Sequence, residues 1–119
     1  MRINKVSYRD QIIHDYNLII DVRTPSEFRD DRIPNSINYP VLSNQQRHEI
    51  GISYKENSFL AKKNGAELIS FNISKIIKKI KFDKKDKVLI YCWRGGLRSL
   101  SLYLVLKQIG YDVYLLDGG

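Results

Sequence analysis

The residues with the clearest chemical potential follow an apolar run at residues 88–91. Cys92, the only cysteine of the 119 residues, comes directly after that run. The segment behind it contains two glycines and two arginines, and it comprises Trp93, Arg94, Gly95, Gly96, Leu97, Arg98 and Ser99. A glycine-bearing loop between a strand and a helix turns several backbone N–H groups toward an anion, and the helix dipole adds positive potential. The pattern therefore predicts a reactive thiolate at Cys92 in an anion-binding loop.

The alternative interpretation of Cys92 is inert core packing, the more common fate of a lone cysteine after an apolar strand. The composition of the loop disfavours it, because arginines need polar partners and glycines weaken local structure. Arg94 and Arg98 are expected to cradle the anion, and Gly95 and Gly96 to let the backbone approach it. One cysteine and two distant histidines show no metal-ligand spacing, so no metal site is expected.

Alternating strand and helix patterns indicate how this loop is positioned. Continuous apolar runs at residues 18–22, 88–91 and 113–116 are typical of strands that are covered on both faces. Apolar residues at three- and four-residue steps from Ala66 predict an amphipathic helix, and a second helix follows Cys92 and ends at Gly110. Strands separated by helices predict one α/β domain over residues 1–119, a parallel sheet flanked by helices.

Weaker patterns fill the rest of the chain. Residues 7–17 predict a short helix, and Thr24-Pro25-Ser26-Glu27 predicts a helix start with a capping box. A turn at residues 33–36 leads to a short strand at residues 37–39. Residues 43–65 are polar and mixed, and they predict helical pieces and loop with breaks at Gly51 and Gly65.

Charge favours an anionic partner without naming one. Twenty Lys and Arg against thirteen Asp and Glu give a net charge of +7. Residues 75–87 hold seven lysines against two aspartates, which suits either nucleic-acid phosphates or the solvated face of a helix. No apolar window approaches the roughly 18 residues of a membrane span, and the first residues lack a signal-peptide core. We therefore expect a cytoplasmic protein without membrane association.

Two protein families have a loop of this kind. Cys92-x-x-Gly95-x-x-Arg98-Ser99 resembles the loop of the cysteine phosphatases, although Tyr91 stands where their histidine usually precedes the cysteine. The rhodanese domains resemble the chain over nearly its whole length. Their motifs occur here in order as Asp21-Val22-Arg23, Glu27-Phe28, Ile33-Pro34-Asn35-Ser36-Ile37-Asn38, Cys92 and Gly118-Gly119.

A more particular resemblance is to the amino-terminal domain of the bacterial tRNA 2-selenouridine synthases. It rests on the stretch from Tyr91 to Ser99 and on four separated segments: Pro40-Val41-Leu42, Gly51-Ile52-Ser53-Tyr54-Lys55, Ala61-Lys62-Lys63-x-Gly65-Ala66 and Leu115-Leu116-Asp117-Gly118-Gly119. That family replaces the sulfur of wobble 2-thiouridine in tRNA by selenium from selenophosphate. The resemblance implies a rhodanese-like fold, a sulfur or selenium adduct on Cys92, tRNA as partner, selenophosphate as donor substrate and no cofactor in this chain.

The same resemblance implies roles for neighbouring residues. Asp21 and Arg23 would brace the loop from the adjacent strand. Trp93 would cover the pocket, stack on a base or pack as a core indole. Ser99 would cap the following helix or hydrogen-bond the thiolate, and capping is the stronger expectation.

The resemblance also implies a missing part. The family's P-loop needs Gly-x-x-x-x-Gly-Lys, and no glycine here is followed by lysine. We therefore expect a P-loop domain downstream or on a separate chain, and a chain that is C-terminally truncated relative to the family.

Three rival functions remain open. The first is a cysteine phosphatase that uses the Cys-x5-Arg loop. The second is a generic thiosulfate sulfurtransferase, although such enzymes commonly have a loop one residue shorter. The third is a non-catalytic rhodanese module that only binds a partner, which the retained Cys92 disfavours.

Overall fold

The computed structural model describes residues 2–10, 12–92 and 96–118. One parallel sheet contains five strands: β1 (Lys5–Val6), β2 (Leu18–Asp21), β3 (Ile37–Asn38), β4 (Lys87–Tyr91) and β5 (Asp112–Leu116). Four α-helices connect them: α1 (Pro25–Asp30), α2 (Asn44–Glu56), α3 (Ser58–Lys79) and α4 (Leu97–Ile109). The strands lie in the spatial order β1-β5-β4-β2-β3. The predicted α/β class, with a parallel sheet flanked by helices, is confirmed.

Strand β4 lies at the centre of the sheet and is covered on both faces. Val88 and Ile90 pack into the larger core, which α3 and α4 cover, whereas Leu89 and Tyr91 pack into a smaller core on the opposite face. This two-sided burial is why the strand is a continuous apolar run rather than an alternating one. It also fixes the direction in which the chain leaves β4 at Cys92.

The segment between β1 and β2 is not the short helix that residues 7–17 predict. It forms a single 3-10 turn at Ile12–His14. Because β1 lies beside β5 while β2 lies beyond β4, this segment must cross the sheet. Ile12, 2% exposed, and Ile13 pack against the smaller core during that crossing. Ile12 and Ile13 are therefore apolar because they cover the sheet, not because they form one face of a helix.

Residues 43–65 contain no loop of the kind predicted, because α2 and α3 follow each other with one residue between them. The Ser43 side chain caps α2 in a capping box with Gln46, and the Asn57 side chain caps α3 through the Leu60 N–H. These two caps define the helix starts. The amphipathic helix predicted from Ala66 is present as the later part of α3, but α3 begins earlier than predicted, at Ser58.

The two glycines predicted to break this segment lie inside the helices instead. Gly51 is within α2 and Gly65 is within α3. At Gly65, an added Cβ would lie 3.5 Å from Cδ1 of Ile50, so the glycine brings the two helices close together. The α2–α3 hairpin is thus a continuous pair of packed helices. Within the described ranges, no helix is long and apolar enough to cross a membrane.

Candidate active site

Cys92 stands at the edge of the sheet where the parallel strands end. It follows the last residue of β4 and is only 1% exposed. Its Sγ lies 3.0 Å from Oγ of Ser99 and 3.5 Å from the carbonyl oxygen of Gly96. Gly96 is the N-cap of α4, so the sulfur sits beside the amino end of a 13-residue helix. Trp93, Arg94 and Gly95 lie outside the described residues, and their expected roles stay predictions.

Ser99 does not cap α4, which corrects the stronger of its two predicted roles. The N-cap position belongs to Gly96, and Ser99 lies within the first helical turn, 1% exposed. Its hydroxyl is within reach of both the Gly96 carbonyl, at 3.3 Å, and the Cys92 sulfur. A hydroxyl has one proton, so Ser99 can donate it to a thiolate or to the carbonyl. Leu97, the first residue of the helix, is 70% exposed.

Arg98 is buried beside the loop, and its guanidinium is paired with a carboxylate. Nη1 donates to Oε1 of Glu27 at 2.8 Å, and Nη2 donates to Oε2 at 3.3 Å. Glu27 also closes the capping box of α1 with Thr24. Burial raises the pKa of the Glu27 carboxyl, but hydrogen bonds from Arg98 and Thr24 and the charge of Arg98 outweigh it and lower that pKa to about 2. Anion binding by Arg98 stays a prediction, and the anion would share this arginine with Glu27.

Asp21 and Arg23 form a second buried ion pair at the end of β2. The guanidinium of Arg23 donates to both oxygens of Asp21, with Nη2 to Oδ2 at 2.8 Å, and it also donates to the Asp31 carbonyl. The hydroxyl of Tyr91 donates to Oδ2 of Asp21 at 2.8 Å and accepts from the Ile33 N–H at 3.1 Å. Burial is the main cause that raises the pKa of the Tyr91 phenol. This network ties β2 to the residue before Cys92.

Arg47 is a cation near the site that the sequence did not single out. It lies in the first turn of α2, and its Nε is 3.7 Å from Oε1 of Glu27. Burial lowers the pKa of Arg47 and the charge of Arg98 lowers it further, whereas the charges of Glu27 and Cys92 raise it. Half of the Arg47 side chain remains exposed. The capping signal Ser43-x-x-Gln46 could have located this helix start, but no sequence signal places it beside Cys92.

A cavity of about 450 Å³ opens over Cys92 at the same edge of the sheet. The ends of three strands and the turn after α1 form its walls. Its lining comprises Tyr8, Arg23, Asp31, Arg32, Ile33, Pro34, Tyr91, Cys92, Leu116, Asp117 and Gly118. The size lies within the range of small-molecule sites. Cys92 is therefore one of the residues that border a cavity of substrate size.

The lysine-rich segment of residues 75–87 lies away from the cysteine. Lys78 and Lys79 are in the last turn of α3, and Lys87 is the first residue of β4. Cys92 follows the other end of that strand, which places the lysines at the opposite edge of the sheet. In the described part of the chain, no group of three or more His, Cys, Asp or Glu side chains is arranged to hold a metal ion.

Comparison with known proteins places this geometry in context. The model of the rhodanese-like domain family matches residues 6–119. The tRNA 2-selenouridine synthase of Shewanella pealeana is 34% identical over 128 residues, which cover 100% of this chain and 34% of the relative. That of Psychromonas ingrahamii is 35% identical over 104 residues, covering 85% of this chain and 28% of the relative. The chain thus spans about a third of the length of these relatives.

Two crystal structures are similar as well. The N-terminal domain of a protein described as ATP/GTP binding, from Clostridium difficile 630, is 31% identical with a TM-score of 0.80, over 99% of this chain and 92% of that one. A single-domain sulfurtransferase of Saccharomyces cerevisiae is 21% identical with a TM-score of 0.58, over 100% of this chain and 86% of that one. The second likeness concerns the fold alone.

Proposed function

Because the chain belongs to the rhodanese-like domain family, we propose that it transfers sulfur or selenium as part of an enzyme of the tRNA 2-selenouridine synthase type. The observation that carries the proposal is the setting of Cys92. The only cysteine directly follows the central strand, its sulfur lies 3.0 Å from a hydroxyl, it borders the start of α4, and it is among the residues that line an open cavity. These are the features of a nucleophile whose anionic adduct must be held.

The sulfur-transfer step needs only the thiolate and a donor. The Cys92 thiolate attacks the outer sulfur of thiosulfate, a new S–S bond forms, and the S–S bond of the donor breaks so that sulfite leaves with the electron pair. The terminal persulfide anion then lies beside the amino end of α4, where backbone N–H groups stabilise negative charge. Selenophosphate is the selenium donor that we expect in the complete reaction.

The pairing of Arg98 with Glu27 favours sulfur transfer over the phosphatase alternative. A phosphatase loop needs its arginine fork for the oxygens of a phosphoryl group. Here both terminal nitrogens of that fork contact the Glu27 carboxylate. Turnover of an aryl phosphate near the typical enzyme median of about 10 per second, lost in Cys92→Ser, would support the phosphatase instead.

The proposed partners follow from the relatives. Proteins named tRNA 2-selenouridine synthase support tRNA as the acceptor, and they are about three times as long as this chain. The similar domain from Clostridium difficile belongs to a protein described as ATP/GTP binding, which supports a nucleotide-binding P-loop domain as the second component. We place the reaction in the cytoplasm, where tRNA is modified.

Mass spectrometry after incubation with thiosulfate tests the proposal. We expect the unmodified protein to gain one sulfur atom that is removed by dithiothreitol, and Cys92→Ser to gain none. Ser101→Ala serves as the matched control, because Ser101 lies on the same helix and its hydroxyl donates to the Leu97 carbonyl instead. Equal labelling of Cys92→Ser would refute the role of this cysteine.

A further inference from the structure

The α2–α3 hairpin contains two of the segments that resemble the tRNA 2-selenouridine synthases, and neither takes part in the proposed chemistry of Cys92. Residues 51–55 lie in α2 and residues 61–66 lie in α3. Helix α2, all of whose residues are described, buries no side chain completely. The two helices pack against each other, with Gly65 in contact with Ile50 and Nζ of Lys62 at 6.0 Å from the ring centroid of Tyr54. The outer side of α2 carries a surface feature.

That feature is an open groove of about 320 Å³, lined by Leu42, Arg47, Ile50, Gly51 and Tyr54. Arg47, Gly51 and Tyr54 are spaced by four and three residues, so they share one face of α2. A Cβ added at Gly51 would meet no described atom within 4 Å, which leaves the floor of the groove open.

The two ends of the groove carry groups that suit a nucleotide. Tyr54 is 50% exposed, and an exposed ring is a stacking surface for a base. Lys62, exposed and flexible, lies beside it, and half-exposed Arg47 lies at the other end. Residues 44–66 hold four Lys and Arg against two Glu, and helical spacing puts Glu49 and Glu56 on the opposite face of α2. The groove face is therefore cationic with an aromatic surface.

A chain of side-chain contacts links the groove to the cysteine loop. Arg47 lies 3.7 Å from Glu27, which in turn holds Arg98 beside the cysteine loop. The first turn of α2 is fixed in place, because Oδ1 of Asn44 accepts from the Ser26 N–H and Oε1 of Gln46 accepts from the Asn72 side chain. The start of α2, which carries Arg47, is thus anchored to both α1 and α3.

We propose that this groove binds one nucleotide of single-stranded RNA next to the nucleotide that reaches Cys92. Tyr54 stacks on its base, and Arg47 and Lys62 contact the flanking phosphates. The inference rests on the proposed function and adds the surface by which this domain holds its RNA. A flat, anionic ligand can stack on Tyr54 and pair with the exposed part of Arg47. An apolar protein segment could not pair with Arg47.

The test measures binding of an anticodon stem-loop RNA that carries 2-thiouridine at the wobble position, by fluorescence anisotropy. We expect Tyr54→Ala to raise the Kd about 5- to 150-fold, the equivalent of about 1–3 kcal/mol for one stacked base, and Tyr54→Phe to keep the affinity. Arg47→Ala should reduce the slope of log K against log salt by about 0.7, the value for one phosphate of a single strand. Gly51→Gln should weaken binding by filling the groove, and Gly51→Ala is its matched control.

Further variants separate the outcomes. Lys78→Ala, at the opposite edge of the sheet, should keep the RNA affinity. If Lys78→Ala lost as much affinity as Lys62→Ala, the proposal that the groove binds the RNA would be overturned. Unchanged Kd values for both Tyr54→Ala and Gly51→Gln in folded protein would also overturn it. So would a Tyr54→Ala defect confined to association with a nucleotide-binding domain. Because sulfur loading of Cys92 by thiosulfate is measured without RNA, the two measurements fail or succeed independently.

Discussion

At the scale of single residues, we expect the reactivity of Cys92 to depend on the hydroxyl of Ser99. Sγ of Cys92 and Oγ of Ser99 are 3.0 Å apart, and both atoms are buried. The Gly96 carbonyl competes for the same proton at 3.3 Å from the hydroxyl. When the sulfur is ionised, donation to it is favoured because hydrogen bonds to charged groups are stronger than those to neutral ones.

We therefore expect Ser99→Ala to slow alkylation of Cys92 by iodoacetamide at neutral pH about tenfold, the value of one hydrogen bond to a charged group of roughly 1.5 kcal/mol. Ser101→Ala, whose hydroxyl lies on the same helix without a contact to the sulfur, should react at the normal rate. A normal rate in Ser99→Ala as well would show that the hydroxyl stays on the Gly96 carbonyl.

Tyr91 is a second residue whose hydroxyl has a measurable role. It donates to Asp21 and accepts from the Ile33 N–H, and the residue is 5% exposed. Tyr91→Phe leaves a buried carboxylate oxygen and a backbone N–H without this partner, so we expect a loss of about 1–3 kcal/mol in the free energy of unfolding. Urea denaturation measures it, and Tyr8→Phe, at a 55% exposed residue, is the control. A loss below about 0.5 kcal/mol in Tyr91→Phe, the range of ordinary surface substitutions, would contradict this role.

At the scale of secondary-structure elements, the ion pair of Glu27 and Arg98 joins the start of α1 to the start of α4. Two residues 71 positions apart thereby fix the helix that begins at the cysteine loop. Glu27 keeps 28% of its side-chain exposure, so solvent weakens the pair, whereas Arg98 is nearly buried. Removal of the carboxylate would leave that buried charge uncompensated.

Glu27→Gln should therefore lower the free energy of unfolding at neutral pH by about 2 kcal/mol, a discounted value for a partly exposed carboxylate. The pKa of Glu27 falls from 4.5 to about 2 on folding, so the stabilisation is complete above 4.5 and is lost as the pH falls toward 2. Urea titrations at several pH values should show the two proteins converging in this window. Glu49→Gln, at an exposed carboxylate that accepts from the Gln45 side chain, is the control and should change the free energy of unfolding at neutral pH by less than about 0.5 kcal/mol, the range of ordinary surface substitutions.

Substitution by alanine should change the stability in opposite directions at Gly51, inside α2, and at Gly110, which follows the last residue of α4. Gly51 lies inside α2 with open space around it, so Gly51→Ala should stabilise the protein by up to about 1 kcal/mol. Gly110 ends α4 with a φ of 115°, a left-handed conformation, so Gly110→Ala should destabilise by about 1 kcal/mol. Thermal unfolding followed by circular dichroism compares the two, and a lower Tm for Gly51→Ala would show that its helix is strained there.

The elements also show what the sequence could and could not predict. The strands at β2, β4 and β5 were predictable because each is a continuous apolar run, and α4 because it ends at Gly110. The amphipathic pattern from Ala66 predicted the later part of α3. It did not predict α2 or the start of α3, because these parts are half-exposed and begin at the side-chain caps of Ser43 and Asn57. The composition of the loop pointed to Cys92. The contact of Arg98 with Glu27 and the place of Arg47 depend on the tertiary fold, and no local pattern contains them.

At the scale of the whole molecule, the two edges of the sheet carry different chemistry. Cys92, its cavity and the groove of α2 lie at or near the carboxyl edge, and the lysine-rich segment of residues 75–87 lies at the amino edge. Residues 75–87, with seven lysines against two aspartates, therefore concentrate positive charge away from Cys92.

We expect that this chain alone does not perform the complete replacement of sulfur by selenium in tRNA. It spans about a third of its relatives and has no Gly-x-x-x-x-Gly-Lys sequence with which to cradle a diphosphate. With thiosulfate we expect Cys92 to be labelled, and with selenophosphate and tRNA that contains 2-thiouridine we expect the wobble nucleoside to stay sulfur-containing, as nucleoside mass spectrometry would show. Addition of a nucleotide-binding domain from a full-length relative should restore selenium incorporation, and the same mixture with Cys92→Ser should not. Selenium at the wobble uridine without a second domain would show that the residues at this one edge perform the whole exchange.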